Sequence, residues 1–142
     1  MLSLTDLVAI AQEAPEALNT RVAEFAIGGR KLRFNQEPAV MGVINFSADS
    51  WYRESVCLNQ EMALHRMELL HAQGADVIDV GAESTLLHAA RASGRRQLDQ
   101  LLPLLEEARK RRIPISVETY LPKVANECLT RGAAVINLTR GD

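Results

Sequence analysis

Four short apolar runs, each ending in an acid or an amide, constrain the fold of this chain more than any other feature. Residues that read as helix or loop separate the runs, so each run is predicted to be a buried strand with a polar group at its carboxyl end. The four terminal residues are Asn45, Asp79, Glu118 and Asn137. Parallel strands share one mouth at their carboxyl ends, where ligands bind. The pattern therefore predicts a polar, heterocyclic ligand at that mouth.

An internal repeat indicates how the strands are connected. Residues 74–79 return in similar form at 132–137, and each copy is a glycine helix stop followed by a two-residue link and a strand. Such a recurrence is typical of βα units, two per period. The chain is predicted to begin with a helix that starts at the Ser3 cap and runs up to Pro15, followed by a β-hairpin at 25–34. The order βαβαβαβ then makes either half of an eight-stranded barrel or a four-stranded open sheet.

Periodicity also sets the expected bounds of the elements. Strands are predicted at 39–46, 76–80, 115–118 and 134–138, and helices at 59–73, 95–111 and 122–132. Pro103 lies within the second of these helices and is predicted either to kink it or to mark its first turn.

Composition excludes several classes of function. The chain has 142 residues, 47% of them apolar, and a net charge of −2, which predicts one globular domain and no nucleic-acid partner. The basic stretch at 95–112 is interpreted as a solvated helix face. No apolar stretch is long enough to span a membrane, and no signal peptide is recognised, so a cytoplasmic location is expected. Cys57 and Cys128 fit neither a disulfide framework nor a zinc site.

The strand ends and the loops after them resemble one known family. Residues 41–51 resemble the first-strand signature of dihydropteroate synthase, in which an Asn precedes a Thr-Pro-Asp-Ser-Phe loop. This stretch includes Asn45, Asp49, Ser50 and Trp51. Residues 74–85 resemble that family's second signature, and residues 115–120 and 134–137 fall where its third and fourth strands belong. The resemblance runs from about Glu24 to the end of the chain, which leaves an N-terminal helical segment at 1–24. It implies that residues 25–142 form a pterin-binding (βα)4-like N-terminal half of a TIM barrel.

The resemblance also implies an activity and a set of site residues. The family joins a dihydropterin pyrophosphate to p-aminobenzoate in folate biosynthesis and uses magnesium. By this resemblance Asn45 lies beside the metal and the pyrophosphate, Thr85 lies on the phosphate side, and Glu118 and Asn137 contact the pterin ring. The loop residues Asp49, Ser50, Trp51 and Arg53 belong to the pyrophosphate side. Asp79 and Glu83 are expected to be structural, with Asp79 bonded to neighbouring barrel residues and Glu83 capping the second loop.

Two departures from the family keep other functions open. Residues 52–55 read Tyr-Arg-Glu-Ser where the family has Ser-Asp-Gly-Gly, so Arg53 stands where the family has an Asp. Leu86 stands where the family has an Arg. These changes favour a non-catalytic paralogue that acts as a partner or regulator, and weak or absent turnover by this chain alone. A pterin-dependent methyltransferase is a further alternative, although the pyrophosphate-side loop is evidence against it.

The family's strands five to eight have no counterpart here, so a second copy or a C-terminal half is expected to close the barrel. In a free half-barrel, apolar side chains such as Val43, Val77 and Val117 are expected to face water.

Overall fold

A four-stranded parallel sheet with helices between its strands forms the centre of the fold. The computed structural model describes residues 3–84 and 91–138. Within these residues the elements, in chain order, are α1 (Leu4–Glu13), α2 (Pro15–Asn19), β1 (Ala26–Ile27), β2 (Arg30–Lys31), β3 (Met41–Asn45), a 3-10 turn (Arg53–Ser55), α3 (Gln60–Ala72), β4 (Val77–Gly81), α4 (Gly94–Arg111), β5 (Ile115–Glu118), α5 (Pro122–Thr130) and β6 (Val135–Asn137). The predicted βαβαβαβ order is confirmed.

The strands pair in their order along the chain. β3 pairs with β4, β4 with β5, and β5 with β6, and every pair is parallel. The register places Asn45 opposite Gly81, Gly81 opposite Glu118, and Glu118 opposite Asn137. The carboxyl ends of all four strands therefore lie in one row across the sheet.

One face of the sheet and the three long helices form the apolar core. Successive side chains of a strand point to opposite faces, and Ile44, Ile78, Val80, Ile115 and Val117 are all buried among residues of the core cluster. The helices contribute Ala63, Met67, Leu101, Leu104, Leu105, Ala108, Val124 and Cys128 to the same cluster.

The expectation that apolar strand residues face water is wrong for two of the three residues named. Val117 lies on the helix-facing side of β5 and is completely buried, and Val77 is also buried. Only Val43, on the opposite face, is half-buried. At the carboxyl ends of the strands that opposite face presents the polar side chains of Asn45, Asp79, Glu118 and Asn137.

Pro103 does not begin a helix. α4 starts at Gly94, and the Ser93 side chain caps it by accepting a hydrogen bond from the backbone N–H of Arg96 at 3.3 Å. Pro103 therefore lies in the middle of the helix, where it lacks the N–H that would bond to the preceding turn. The Gln60 side chain of α3 donates a 2.6 Å hydrogen bond to the adjacent Gln100 carbonyl. This contact ties the turn that contains the proline to the neighbouring helix.

The N-terminal region differs in detail from the prediction. The Ser3 capping box is present, but Pro15 begins a second short helix instead of only ending the first, and neither helix contains a buried residue. The hairpin forms a ladder of two residue pairs, shorter than the predicted 25–34. A division of the chain at residue 24 stays a prediction.

The hairpin closes the amino end of the sheet, opposite the row of strand ends. Arg30 forms a 2.6 Å ion pair with Asp76, whose other carboxylate oxygen accepts a hydrogen bond from the Val40 backbone N–H at 2.8 Å. Gly28 has a φ of 58°, and a Cβ there would lie 3.1 Å from the Pro114 ring. The turn of the hairpin therefore requires glycine for both its conformation and its close contact.

Both cysteines are buried, and neither forms a disulfide bond in this structure. Burial raises the pKa of the Cys57 thiol, and it raises that of Cys128 to about 11. In the part of the chain that the structure describes, no helix has the length and apolar character needed to cross a bilayer.

The buried face of α3 provides a stability test with an internal control. Met67 is 0% exposed, whereas Met62, on the same helix, is 45% exposed. Met67→Ala is expected to lower the free energy of unfolding by about 2–5 kcal/mol, because it leaves a cavity in the core. Met62→Ala is expected to change it by less than about 0.5 kcal/mol. Urea unfolding followed by circular dichroism measures both, and equal effects would contradict the placement of this helix.

Candidate functional site

The row of strand ends opens into a polar cavity on the face of the sheet that the helices leave uncovered. The cavity has a volume of about 260 Å³. Its lining residues are Val43, Asn45, Ser50, Trp51, Tyr52, Asp79, Glu83, Ser84, Glu118 and Asn137. Three residues predicted from separate strand ends, Asn45, Glu118 and Asn137, are therefore brought together in one site. Of the four loop residues named from the sequence, Ser50 and Trp51 line this cavity.

Gly81 lies on β4 between two of the side chains that line the cavity, opposite Asn45 on one side and Glu118 on the other. A Cβ placed on Gly81 would lie 2.9 Å from Asn45 Oδ1 and 2.9 Å from Glu118 Oε2. A side chain at this position would displace at least one of these oxygens, so glycine allows both to converge above the strand. Sequence reasoning missed this residue, although a glycine two positions after Asp79 on a strand that ends at the mouth was an available signal.

Asn45 is held by the loop that follows β3. Its side-chain Nδ2 donates to Ser50 Oγ at 3.1 Å and to Ser55 Oγ at 2.8 Å. Its backbone carbonyl accepts from the Cys57 N–H at 2.8 Å, and Val56 forms a β-bridge with Asn45. The loop at 46–55 thus leaves the sheet and returns to it at the same residue.

The exposed part of this loop carries the aromatic residues of the site. Trp51 is 77% exposed, and its ring centroid lies 6.3 Å from that of Tyr52. Arg53 is directed back into the loop, where Nη1 donates to the Ala48 carbonyl at 2.7 Å. The Asp49 backbone is joined to the second loop, because its carbonyl accepts from Ser84 Oγ at 3.2 Å. Asp49 and Arg53 therefore stabilise the loop in this structure and are not among the residues lining the cavity.

Asp79 is a buried carboxyl in the lower part of the cavity. It is 5% exposed, and its Oδ2 accepts a hydrogen bond from Asn137 Nδ2 at 3.1 Å. The predicted bond from Asp79 to a neighbouring strand residue is therefore confirmed. Burial raises the pKa of the Asp79 carboxyl, while hydrogen bonds from the Ser116 and Asn137 side chains oppose the shift. Among the described residues, Oδ1 has no hydrogen-bond partner.

Glu83 connects the loops that follow β4 and β5. Its Oε2 accepts from the Ala92 backbone N–H at 3.0 Å and from Gln97 Nε2 at 3.2 Å, and its Oε1 pairs with Arg91 at 2.5 Å. Gln97 Oε1 accepts in turn from Thr119 Oγ1 at 2.7 Å, next to Glu118. The predicted capping role of Glu83 is confirmed. Sequence reasoning missed Gln97, because a glutamine on a helix surface pattern carries no signal of burial.

Two positions singled out from the sequence, Thr85 and Leu86, lie outside the described residues. Their nearest described neighbour on the amino side is Ser84, which is buried and lines the cavity.

The side-chain oxygen atoms at the mouth are of the kind that coordinate a hard cation. No group of three His, Cys, Asp or Glu side chains suited to a metal occurs within residues 3–84 and 91–138. Mg²⁺, however, is usually held by one or two protein oxygens together with waters and substrate phosphates. Asn45 Oδ1 and Glu118 Oε2, on either side of the space above Gly81, are oxygens of that kind. The residues present are therefore compatible with a magnesium ion that is shared with a ligand.

Comparison with known proteins gives a consistent result. The sequence profile of the pterin binding enzyme family matches residues 41–142. The chain is 30% identical over 112 residues to a dihydropteroate synthase from Clostridium beijerinckii, covering 78% of this chain and 42% of that protein. It is 36% identical over 117 residues to the mitochondrial folate synthesis bifunctional protein of Arabidopsis thaliana, covering 78% of this chain and 21% of that protein.

A solved structure shows the same fold. Dihydropteroate synthase from Coxiella burnetii in complex with pteroic acid superposes with a TM-score of 0.69 at 36% identity, over 84% of this chain and 42% of that one. The fold class, the N-terminal part of a TIM barrel, is thereby confirmed. The chain spans less than half the length of each of these relatives.

Asp79 provides a test of the electrostatics of the site. Burial raises the pKa of the Asp79 carboxyl. There is therefore a pH range in which this carboxyl is protonated in the folded state and ionised in the unfolded chain. The free energy of unfolding therefore falls as the pH rises through that range. Asp79→Asn is expected to be more stable than the parent chain at pH 7, with an advantage that shrinks as the pH is lowered to about 4.

Urea unfolding at several pH values measures this difference, with Asp99→Asn on the exposed face of α4 as the control. An advantage of Asp79→Asn that grew on acidification would contradict this account.

Proposed function

The chain belongs to the family of pterin-binding enzymes, and on that premise we propose that it forms the pterin and pyrophosphate side of a dihydropteroate synthase-like site. The reaction proposed is the condensation of a dihydropterin pyrophosphate with p-aminobenzoate. The observation that carries the proposal is the row of Asn45, Gly81, Glu118 and Asn137 in direct register across four parallel strands.

The ring end of the site has the hydrogen-bonding groups that a pterin requires. A pterin edge presents adjacent donors and acceptors, which a carboxylate and an amide match. Glu118 supplies acceptor oxygens, and Asn137 supplies an amide whose orientation is set by its bond to Asp79. Pteroic acid, the ligand of the Coxiella burnetii relative, contains such a ring. These two residues are proposed to hold the ring.

The other end of the site is proposed to take the pyrophosphate. Asn45 faces this end, with Ser50 and the exposed ring of Trp51 beside it, and Thr85 is proposed to lie on the phosphate side. Asp49 and Arg53 are proposed to keep this loop folded. A magnesium ion held at Asn45 would neutralise charge on the leaving group. In the reaction the arylamine nitrogen forms a bond to the methylene carbon of the pterin. The carbon–oxygen bond to pyrophosphate breaks, and the amine loses a proton.

A non-catalytic pterin-binding partner is the second candidate, and the position of Arg53 favours it. Its guanidinium donates to the Ala48 carbonyl within the loop. Arg53 therefore does not supply the acidic group that the dihydropteroate synthase loop has at this position. The uncovered face of the sheet also leaves the ring end open, and a second copy or a C-terminal half is proposed to complete it.

Glu118 provides the test of pterin binding. Trp51 is the only tryptophan in the chain and lines the cavity, so dihydropterin pyrophosphate binding is expected to change its fluorescence. Glu118→Ala is expected to weaken binding by about 10- to 100-fold, because a hydrogen bond to a charged group contributes about 1.5–3 kcal/mol.

Glu54→Ala, which removes an exposed carboxylate from the neighbouring loop, serves as the control and should bind like the parent. Pyrophosphate release in the presence of p-aminobenzoate separates the two candidates, since a non-catalytic partner binds the pterin and releases none. An unchanged affinity in Glu118→Ala would contradict the assignment of the ring end.

The open face of the sheet predicts association in solution. β3 pairs only with β4, and β6 only with β5, among the described strands, and Met41 on the uncovered face is 53% exposed. Sedimentation velocity across a dilution series is expected to show a dimer or larger species, because closure would bury these edges.

Met41→Glu should shift the chain toward monomer, whereas Met62→Glu on the outer surface of α3 should not. A parent chain that stayed monomeric at all concentrations and melted cooperatively would show that the open sheet is sufficient by itself.

A further inference from the structure

The buried hydroxyl of Ser55 lies 2.8 Å from the side-chain nitrogen of Asn45. We propose that Ser55 is a positioning residue that directs both N–H groups of Asn45 into the loop and its carbonyl oxygen toward the ligand. The identity of that ligand as magnesium pyrophosphate rests on the proposed function. The orientation of the amide does not.

The argument begins with the single proton of Ser55. Its Oγ donates a 2.6 Å hydrogen bond to the Tyr52 carbonyl. A serine hydroxyl has one proton to donate and two lone pairs that accept, so the lone pairs of Ser55 are left for Asn45. The Asn45 side-chain nitrogen lies 2.8 Å from this oxygen and supplies the donor that the lone pairs require.

The reversed amide would be costly in this position. It would place the Asn45 carbonyl oxygen against the lone pairs of Ser55, with no proton between the two oxygens. Ser55 is 0% exposed, so water cannot take the place of the lost donor, and a buried polar group without a partner destabilises the folded chain. The hydroxyl therefore selects one of two amide orientations that have nearly the same shape.

Ser50 contacts the same amide. It is buried, and its Oγ lies 3.1 Å from the same Asn45 nitrogen. Two hydroxyl oxygens thus take both N–H groups of the amide. The carbonyl oxygen is left beside the space above Gly81, where a Cβ would lie 2.9 Å from it.

This orientation restricts what Asn45 can bind. The mouth meets an acceptor at this position and no donor, so Asn45 attracts a cation or an N–H group and repels a bare phosphate oxygen. Asn45 can therefore engage a pyrophosphate only when a cation lies between them. Binding of the phosphate group is expected to depend strongly on a divalent cation.

Nuclear magnetic resonance of the ¹⁵N-labelled 142-residue chain tests the orientation directly. The side-chain amide signals of Asn45 are assigned by their loss in Asn45→Asp. We expect cross-relaxation from these protons to the Ser55 Hβ protons, and slow exchange with water. Ser55→Ala is expected to accelerate this exchange by about three- to ten-fold, the effect of one hydrogen bond. Ser47→Ala removes a hydroxyl from the same loop that bonds to the Asp49 N–H instead, and it should leave the exchange unchanged.

A second readout follows inorganic pyrophosphate by Trp51 fluorescence, with and without Mg²⁺. The parent chain is expected to bind it much more tightly with Mg²⁺ than without, and the ratio of the two affinities is expected to fall about ten-fold in Ser55→Ala, because the amide is then free to reverse. Cross-relaxation from the Asn45 amide protons to the Gly81 Hα protons, in place of Ser55, would overturn the proposal. That measurement uses the parent chain and needs no variant to fold.

The two readouts separate this inference from the proposed function. The expected cross-relaxation without any binding of magnesium pyrophosphate would support the orientation and contradict the proposed pyrophosphate site. Binding of magnesium pyrophosphate by a chain with the reversed amide would support that site and overturn the role of Ser55.

Discussion

The parallel register of β3, β4, β5 and β6 is the constraint on which the rest of the structure depends. Because side chains alternate along a strand, a slip of one residue in any pair would move a polar strand end from the mouth to the apolar core. The correct register is enforced from the other face, where Ile44, Val80 and Val117 are packed against the helices. The core therefore determines where the site residues lie. Burial of the helix-facing residues of each strand fixes the positions of the residues between them, which point to the cavity, so the site residues do not need strong contacts with one another to be aligned.

The sequence predicts the fold well, because the signals for it are local. Runs of β-branched residues, glycine helix stops and caps such as Ser3 can be read without knowledge of the tertiary structure, and the Ser3 cap is confirmed by the hydrogen bond that its side chain accepts from the Asp6 N–H. The errors arise where a tertiary contact decides the outcome. Val117 is covered by helices that the pattern alone does not place over it, and for Pro103 the structure excludes only the alternative of a helix start.

The site is predicted less completely for the same reason. Asn45, Glu118 and Asn137 were identified because each ends a strand, which is a local pattern. Gly81 and Gln97 were missed because their importance depends on contacts with residues of other elements. Gly81 matters through the two oxygens that converge over it, and Gln97 through a bond to Thr119, 22 residues away. Ser55 shows the same limit, since neither its burial nor the direction of its proton can be read from a loop sequence.

The bonds that Glu83 makes have a consequence for variation in the length of this chain. Glu83 holds the Ala92 backbone N–H and the Gln97 side chain, so it fixes the point where the second loop leaves β4 to the point where α4 begins. Insertions or deletions between these anchors alter the closure entropy only slowly with length. Because both anchors lie outside residues 85–90, a change in the number of residues there is expected to leave the strand ends in place and to alter only the part of the site to which Thr85 is assigned.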